Sequence, residues 1–413
     1  MATLEKIRSG FQRAILSSHS SFYRDLYGHA RSFPPEFPRT WDEWESLPLL
    51  SKNDIQSVPF HERVFIPEAE MDVIRMTSGT TGKILTIPRN NMRPVPELDV
   101  LLPYSRIMGF FYPHHIYGVY GRPDAVFVGG DSARLDASAV LAARAEIEII
   151  FGLPSLLLAF AEVLGQRYDI RRIRRLMLQS DICTKLQEKV LRVLYPSAEL
   201  VCTYTSAEMQ GQVAFSPTHR IPEHSLAIVP TADYHFELVD EAGKPIREAF
   251  VSGELVASAL NETEAFPVLR YRTGDRALIV STHAEQNVFE ILGRTAHDRV
   301  RFAGGHISIN EIERAITVVS DGDVSDFEAV VSEEMRENVP LLKLTITLIT
   351  HDGAYSLHDK GITEKIANEL RINEIRTYAD GVQRKLCAPL TCKIVPSQHN
   401  VDNKRRRLVD MRR

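Results

Sequence analysis

The sequence predicts an α/β protein with a large N-terminal domain of mixed sheets and helices, residues 1–294, and a small α+β C-terminal domain, residues 295–413. Three observations carry that expectation. At 413 residues the chain exceeds what one hydrophobic core usually supports, so more than one domain is expected. From about residue 120 onward, short apolar runs alternate with stretches of helical spacing, the pattern of an α/β domain with largely parallel sheet. After Arg294 the pattern changes to a smaller unit with its own strand and helix signals.

Residues 1–70 begin with helical spacing and become loop-like around Ser32-Phe33-Pro34-Pro35-Glu36-Phe37-Pro38. They hold both tryptophans, Trp41 and Trp44, and are expected to pack as a lid on the main domain. Asp124 to Val128 and Ile147 to Phe151 have the apolar runs of buried strands. Leu156, Phe160, Val163 and Leu164 repeat at helical spacing, as do Leu186, Val190, Val193 and Leu194. Residues 224–291 are rich in strand signals, with turns expected at Asp240-Glu241-Ala242-Gly243-Lys244 and at Ser252-Gly253. Beyond them Leu342, Leu344, Ile346 and Leu348 alternate with Lys343, Thr345 and Thr347, the signature of a half-buried strand. Ile362, Ile366 and Leu370 mark one face of a helix.

Composition narrows the function classes. With 44% hydrophobic and 25% charged residues the chain reads as an ordinary globular protein. A formal net charge of -5 gives no general attraction to nucleic acid or anionic lipid, which favours a small-molecule partner. The apolar run from Leu156 to Val163 is interrupted by Glu162 and is too short to cross a bilayer. The N-terminus carries charges of both signs without a long apolar stretch, so a cytoplasmic enzyme is expected. Cys183, Cys202, Cys387 and Cys392 lack CxxC spacing and are expected to be buried thiols rather than disulfides or zinc ligands.

The densest local signal is Thr77-Ser78-Gly79-Thr80-Thr81-Gly82-Lys83. Glycine lets backbone amides approach an anion, the hydroxyls donate hydrogen bonds, and Lys83 adds a point charge, so the loop suits phosphate. It departs from the Gly-x4-Gly-Lys-Ser/Thr phosphate loop, because Thr77 stands where the first glycine would be. Alone, such a cluster is more often a solvated turn than a site.

Further segments follow it in order: Tyr204-Thr205-Ser206-Ala207-Glu208; Tyr271-Arg272-Thr273-Gly274-Asp275 after Gly253-Glu254-Leu255; Gly293-Arg294 running to Gly304-Gly305 and Glu311-Ile312-Glu313; and Lys404 near the C-terminus. The series resembles the adenylate-forming superfamily of acyl-CoA synthetases, peptide-synthetase adenylation domains and luciferases. Pro267-Val268-Leu269-Arg270-Tyr271-Arg272-Thr273-Gly274-Asp275 and the ending Lys404-Arg405-Arg406-Arg407-Leu408-Val409-Asp410 look most like its phenylacetate-CoA ligase branch.

The resemblance implies a large adenylate-forming domain and a small mobile C-terminal one. It implies that ATP activates a carboxylic acid as an acyl-adenylate, which is then passed to the thiol of coenzyme A. Thr77 to Lys83 would grip the β- and γ-phosphates, Tyr204 would stack on adenine, Asp275 would accept the ribose hydroxyls, and Arg294 would complete the ATP site. Glu208 would take Mg2+, and Lys404 would reach the carboxylate and α-phosphate during adenylation. Two positions depart from the family pattern: Thr205 replaces a glycine, and Ala207 replaces the hydroxyl residue that touches the α-phosphate. Phe110, Phe111, Tyr112, His114, His115, Tyr117 and Tyr120 fall where the acyl pocket begins, with Phe111, Tyr117 and Tyr120 the candidates to line it. They would suit a flat aromatic acid, and core packing is the competing reading. A metal pair at His114-His115 is disfavoured, since adjacent side chains of a strand face opposite ways. A carrier protein, amine or hydroxyl acceptor in place of CoA, and a nucleotide binder without turnover, remain alternatives. A homodimer is left open.

Overall fold

A computed structural model describes residues 2–28, 33–71, 73–76, 85–90, 106–110, 126–179, 183, 185–206, 208–209, 212–217, 224, 226–260, 264–283, 286–294, 299–303, 305–320, 323–336, 339–350, 361–373, 376–396 and 407–411. The chain divides into two units. The first comprises residues 1–105, 112–125 and 201–292, the second residues 106–111, 126–200 and 293–413.

The first unit is built around a sheet in the order Pro245–Ile246, Tyr234–Val239, Ser252–Ala259, Tyr271–His283, Gln286–Arg294. Tyr234, Phe236 and Leu238 alternate inward and are buried together with Leu255, Ala257 and Phe289. The expected turn at Asp240 to Lys244 is present, with Gly243 at φ +80. The one expected at Ser252-Gly253 is not, because both residues begin the strand Ser252–Ala259. A Cβ on Gly253 would stand 2.6 Å from the carbonyl oxygen of Val239, so this glycine serves close strand approach rather than chain reversal.

The N-terminal segment is more than a lid. Its helices Ala2–Leu16, Phe22–Tyr27 and Trp41–Glu45 place Ile7, Phe11, Tyr23 and Trp44 in the same core as the sheet residues Phe236 and Leu255. Arg270 fastens it there. Its backbone has φ 49, unfavourable for a residue with a Cβ. The guanidinium donates to the carbonyls of Glu45 and Leu47 and to Glu237 Oε1, while the backbone amide donates to Ser258 Oγ at 2.9 Å. These contacts hold the left-handed conformation in place.

The second unit contains the parallel sheet that the alternating pattern predicts, in the order Val126–Gly129, Arg106–Gly109, Ile149–Gly152, Arg175–Leu178. Helix Pro154–Gly165 starts with proline in its first turn, where no amide partner is lost, and buries most of its surface, consistent with a helix apolar nearly all round. Phe110 packs edge-on against Phe160 at 4.8 Å, so it is a core residue.

In the same unit, strands Thr391–Pro396, Val339–Thr350, Val324–Arg336 and Leu408–Asp410 form a second sheet, in that order. Leu344, Ile346 and Leu348 are fully buried on one face, as their alternation requires. Ile362 and Ile366 on helix Ile362–Glu369 join the same core, with Leu370 at its C-cap. A closed polar ring lies in this unit: Arg407 contacts Asp326 Oδ1 at 3.2 Å and Gln187 Oε1 at 3.0 Å, and Gln187 Nε2 reaches Asp326 Oδ2 at 3.0 Å. All three side chains are buried, and their mutual contacts satisfy polar groups that would otherwise be costly there.

Cys183 and Cys387 are buried thiols as expected, whereas Cys202 and Cys392 are only half-buried. The expectation of uniform burial fails for the latter two because both lie on strands beside the core clusters rather than inside them. Among the described residues, no helix is long and apolar enough to cross a membrane.

Candidate active site

Two of the motif segments meet in the first unit. Strand Glu199–Thr205 carries Tyr204 near its C-terminal end, and strand Tyr271–His283 carries Asp275. The Tyr204 hydroxyl donates to Asp275 Oδ2, joining positions 71 residues apart in sequence. The Tyr204 ring meets Phe236 edge-on, 5.9 Å between centroids, which fixes its plane.

Asp275 owes its placement to a local irregularity. Register between strands Ser252–Ala259 and Tyr271–His283 shifts between Glu254 and Val256, opposite Thr273-Gly274-Asp275. The bulge uses Gly274 at φ +75, a conformation open to glycine. Thr273 Oγ1 donates to the Leu255 carbonyl at 2.8 Å and accepts from the Asp275 amide at 3.1 Å. Glu254 accepts from the Gly274 amide at 3.2 Å and pairs with Arg272. Each residue of the Thr-Gly-Asp turn is thereby tied down by the neighbouring strand.

Glu208 lies just beyond strand Glu199–Thr205. Its Oε2 accepts from Ser206 Oγ at 2.6 Å, and its amide donates back to Ser206 Oγ at 3.2 Å. Oε1 faces Lys52 Nζ at 3.5 Å, and the Glu208 side chain is 11% exposed. Lys52 is the first residue of helix Lys52–Ser57, whose start is fixed by the Ser51/Asp54 capping box. Arg89, at the end of strand Thr86–Arg89, donates to the carbonyls of Ser206 at 3.0 Å and of Met209.

Lys52 and Arg89 are the residues that sequence reasoning missed. Neither sits in a recognisable motif; Ser51-Lys52-Asn53-Asp54 reads only as a helix start. Arg294 ends strand Gln286–Arg294, and its side chain is outside the described residues. Thr77, Ser78, Gly79, Thr80, Thr81, Gly82, Lys83, Ala207, Phe111, Tyr112, His114, His115, Tyr117, Tyr120 and Lys404 also lie outside the described residues. Strand Val73–Met76, which precedes Thr77 in the chain, pairs antiparallel with Thr86–Arg89.

Among the described residues no three His, Cys, Asp or Glu side chains gather as a metal-binding group. Glu208 offers a single hard carboxylate. That set does not suit zinc, and it does suit Mg2+, which binds through one or two carboxylates and completes its shell with phosphate oxygens and water.

No protein-family model and no curated protein matches the chain. Solved structures do. A 2-hydroxyisobutyryl-CoA ligase in the postadenylation state, in complex with R3-HIB-AMP, matches with a TM-score of 0.75 at 18% identity, over 100% of this chain and 89% of that one. The anthranilate CoA ligase AuaEII, in complex with anthranoyl-AMP, matches with a TM-score of 0.55 at 16% identity, over 81% and 64%. The amide bond synthetase McbA from Marinactinospora thermotolerans matches with a TM-score of 0.51 at 14% identity, over 79% and 65%. At such identities the likeness is one of architecture, and the chain has the mixed α/β fold of the acyl-CoA ligases that form acyl-adenylates.

Proposed function

We propose that this protein is an AMP-forming acid-thiol ligase: ATP and a carboxylic acid give an acyl-adenylate and pyrophosphate, and the thiol of coenzyme A then displaces AMP. The observation that carries the reading is the Tyr204–Asp275 hydrogen bond. It unites two distant motifs to which the resemblance gives neighbouring parts of one nucleoside, adenine and ribose. Asp275 would accept the ribose hydroxyls through its carboxylate, while its bond to Tyr204 orients both groups.

The first step sets one anion against another, so alignment and charge neutralisation are what the chain must supply. Thr77 to Lys83 would hold the β- and γ-phosphates, Arg294 would add positive charge, and Lys404 would stabilise the charge that builds between carboxylate and α-phosphate. Glu208 would hold Mg2+, which when bound neutralises phosphate charge. Lys52 is the cation that faces Glu208 otherwise. The division into residues 1–294, binding ATP and acid, and a mobile 295–413 that carries Lys404, belongs to this proposal, as does a cytoplasmic location.

The acid is proposed to be aromatic, on the strength of Phe111, Tyr117 and Tyr120 in the sequence. A second reading, transfer to an amine, a hydroxyl or a carrier-protein thiol, is favoured by the amide bond synthetase among the fold matches. Pyrophosphate release measured over a panel of aromatic and aliphatic acids, with and without coenzyme A, decides between them. Release with CoA-thioester formation is expected; acid-dependent release without thioester selects the second reading, and no release with any acid refutes both.

A further inference from the structure

We infer that Arg89 is a positioning residue that couples strand Thr86–Arg89 to the Glu208 turn; the inference rests on the reading of Glu208 as the Mg2+ carboxylate. Arg89 is almost wholly buried, at 6% exposure. Burying a guanidinium is costly unless it is hydrogen-bonded. Its Nη2 donates to the carbonyl of Ser206 at 3.0 Å and to that of Met209. Those carbonyls bracket Glu208, one two residues before it and the other one residue after, so one nitrogen, Nη2, ties together the two ends of the turn that carries the carboxylate.

The other end of the coupling is the backbone of Arg89 itself. It closes strand Thr86–Arg89, which pairs antiparallel with Val73–Met76, Val73 opposite Arg89 and Met76 opposite Thr86. Arg63 clamps the same strand, donating to the Thr86 carbonyl at 2.9 Å. Strand Thr86–Arg89 and the turn that presents Glu208 are therefore registered to each other through the buried Arg89 side chain. A metal-binding carboxylate needs that registration, since a misplacement of about 1 Å degrades an aligned site severely. Ser206 and Lys52 hold the Glu208 carboxylate itself; Arg89 holds the backbone beneath it.

Lysine in place of Arg89 keeps the charge, but its shorter stem and compact, strongly hydrated ammonium do not reproduce the buried Nη2 position that serves both carbonyls. Arg89→Lys and Arg89→Met are compared with the parent, alone and combined with Glu208→Gln. ATP binding is titrated by calorimetry at increasing Mg2+, folding is followed by thermal melting, and hydrogen exchange is read over residues 206–209. Arg89→Lys is expected to raise the Mg2+ needed for half-maximal effect by about tenfold, the lower end of losses on removing a group that orients a metal ligand. Mg2+-free ATP binding should stay as in the parent, and exchange at 206–209 should quicken. In the Glu208→Gln background Arg89→Lys should add nothing to the Mg2+ requirement. An unchanged Mg2+ requirement in a folded variant, or an equal additional loss in the Glu208→Gln background, overturns the inference. If ATP binding by the parent does not respond to Mg2+, the reading of Glu208 fails instead. Exchange then decides the coupling alone, and unaltered exchange at 206–209 in Arg89→Lys refutes it.

Discussion

Replacing Asp275 with alanine tests the nucleoside assignment most directly. The carboxylate sits on a glycine-dependent bulge, is half-buried, and accepts from the Tyr204 hydroxyl. A hydrogen bond to a charged group is worth roughly 1.5 to 3 kcal/mol. Because water reaches this partly exposed site, the lower part of that range applies, about 1.5 to 2 kcal/mol, or roughly a 10- to 30-fold rise in the ATP dissociation constant. The fold should be nearly unaffected, since the Thr273 and Glu254 contacts that shape the turn do not use the Asp275 side chain. Calorimetric titration with ATP and with its 2′,3′-dideoxy analogue separates lost ribose contacts from general damage. The parent should bind the analogue more weakly by the same factor, and Asp275→Ala should bind both nucleotides alike. If ATP affinity is unchanged in the folded variant, or if the two losses simply add, Asp275 does not hold the ribose.

Lys404→Ala should lower adenylation by about 100-fold, the scale of removing one well-placed electrostatic group, while transfer from chemically prepared acyl-adenylate to the thiol is largely retained; equal loss in both assays would assign the basic tail a docking role. Asp326→Ala leaves Arg407 buried without its carboxylate and should destabilise the second unit by about 3 to 5 kcal/mol, read by urea unfolding. A change under about 1 kcal/mol would mean that the ring contributes little. Glu264 gives a pH signature: burial outweighs the Tyr234 hydroxyl donating at 2.6 Å and raises its pKa from 4.5 to about 8. The folded state holds this proton where the unfolded state has lost it, so the stabilisation is complete below pH 4.5 and disappears as pH rises to about 8. Melting midpoints should fall over that window, and Glu264→Gln should flatten the fall; parallel curves would exclude Glu264 as the cause.

The sequence by itself determined whatever is written in short-range periodicity. The alternation from Leu344 to Leu348 became one buried face of a strand, with Leu342 half-buried at its start, and the spacing of Ile362, Ile366 and Leu370 became a helix face and its cap, because these patterns follow from the repeat of a single element. The resemblance carried by the ordered motifs likewise marked Tyr204 and Asp275 before the hydrogen bond between them was visible. Tertiary structure decided the rest. Only chain packing turned the N-terminal segment into core rather than a lid, and made Gly253 a point of strand contact rather than a turn. The supporting residues were equally silent: Arg89 reaches Ser206 across 117 positions, Gln187 reaches Asp326 across 139 and Arg407 across 220. A buried arginine or glutamine has no periodicity of its own. Its presence is explained by the polar group that it must satisfy, and that group is brought to it only when the chain has folded.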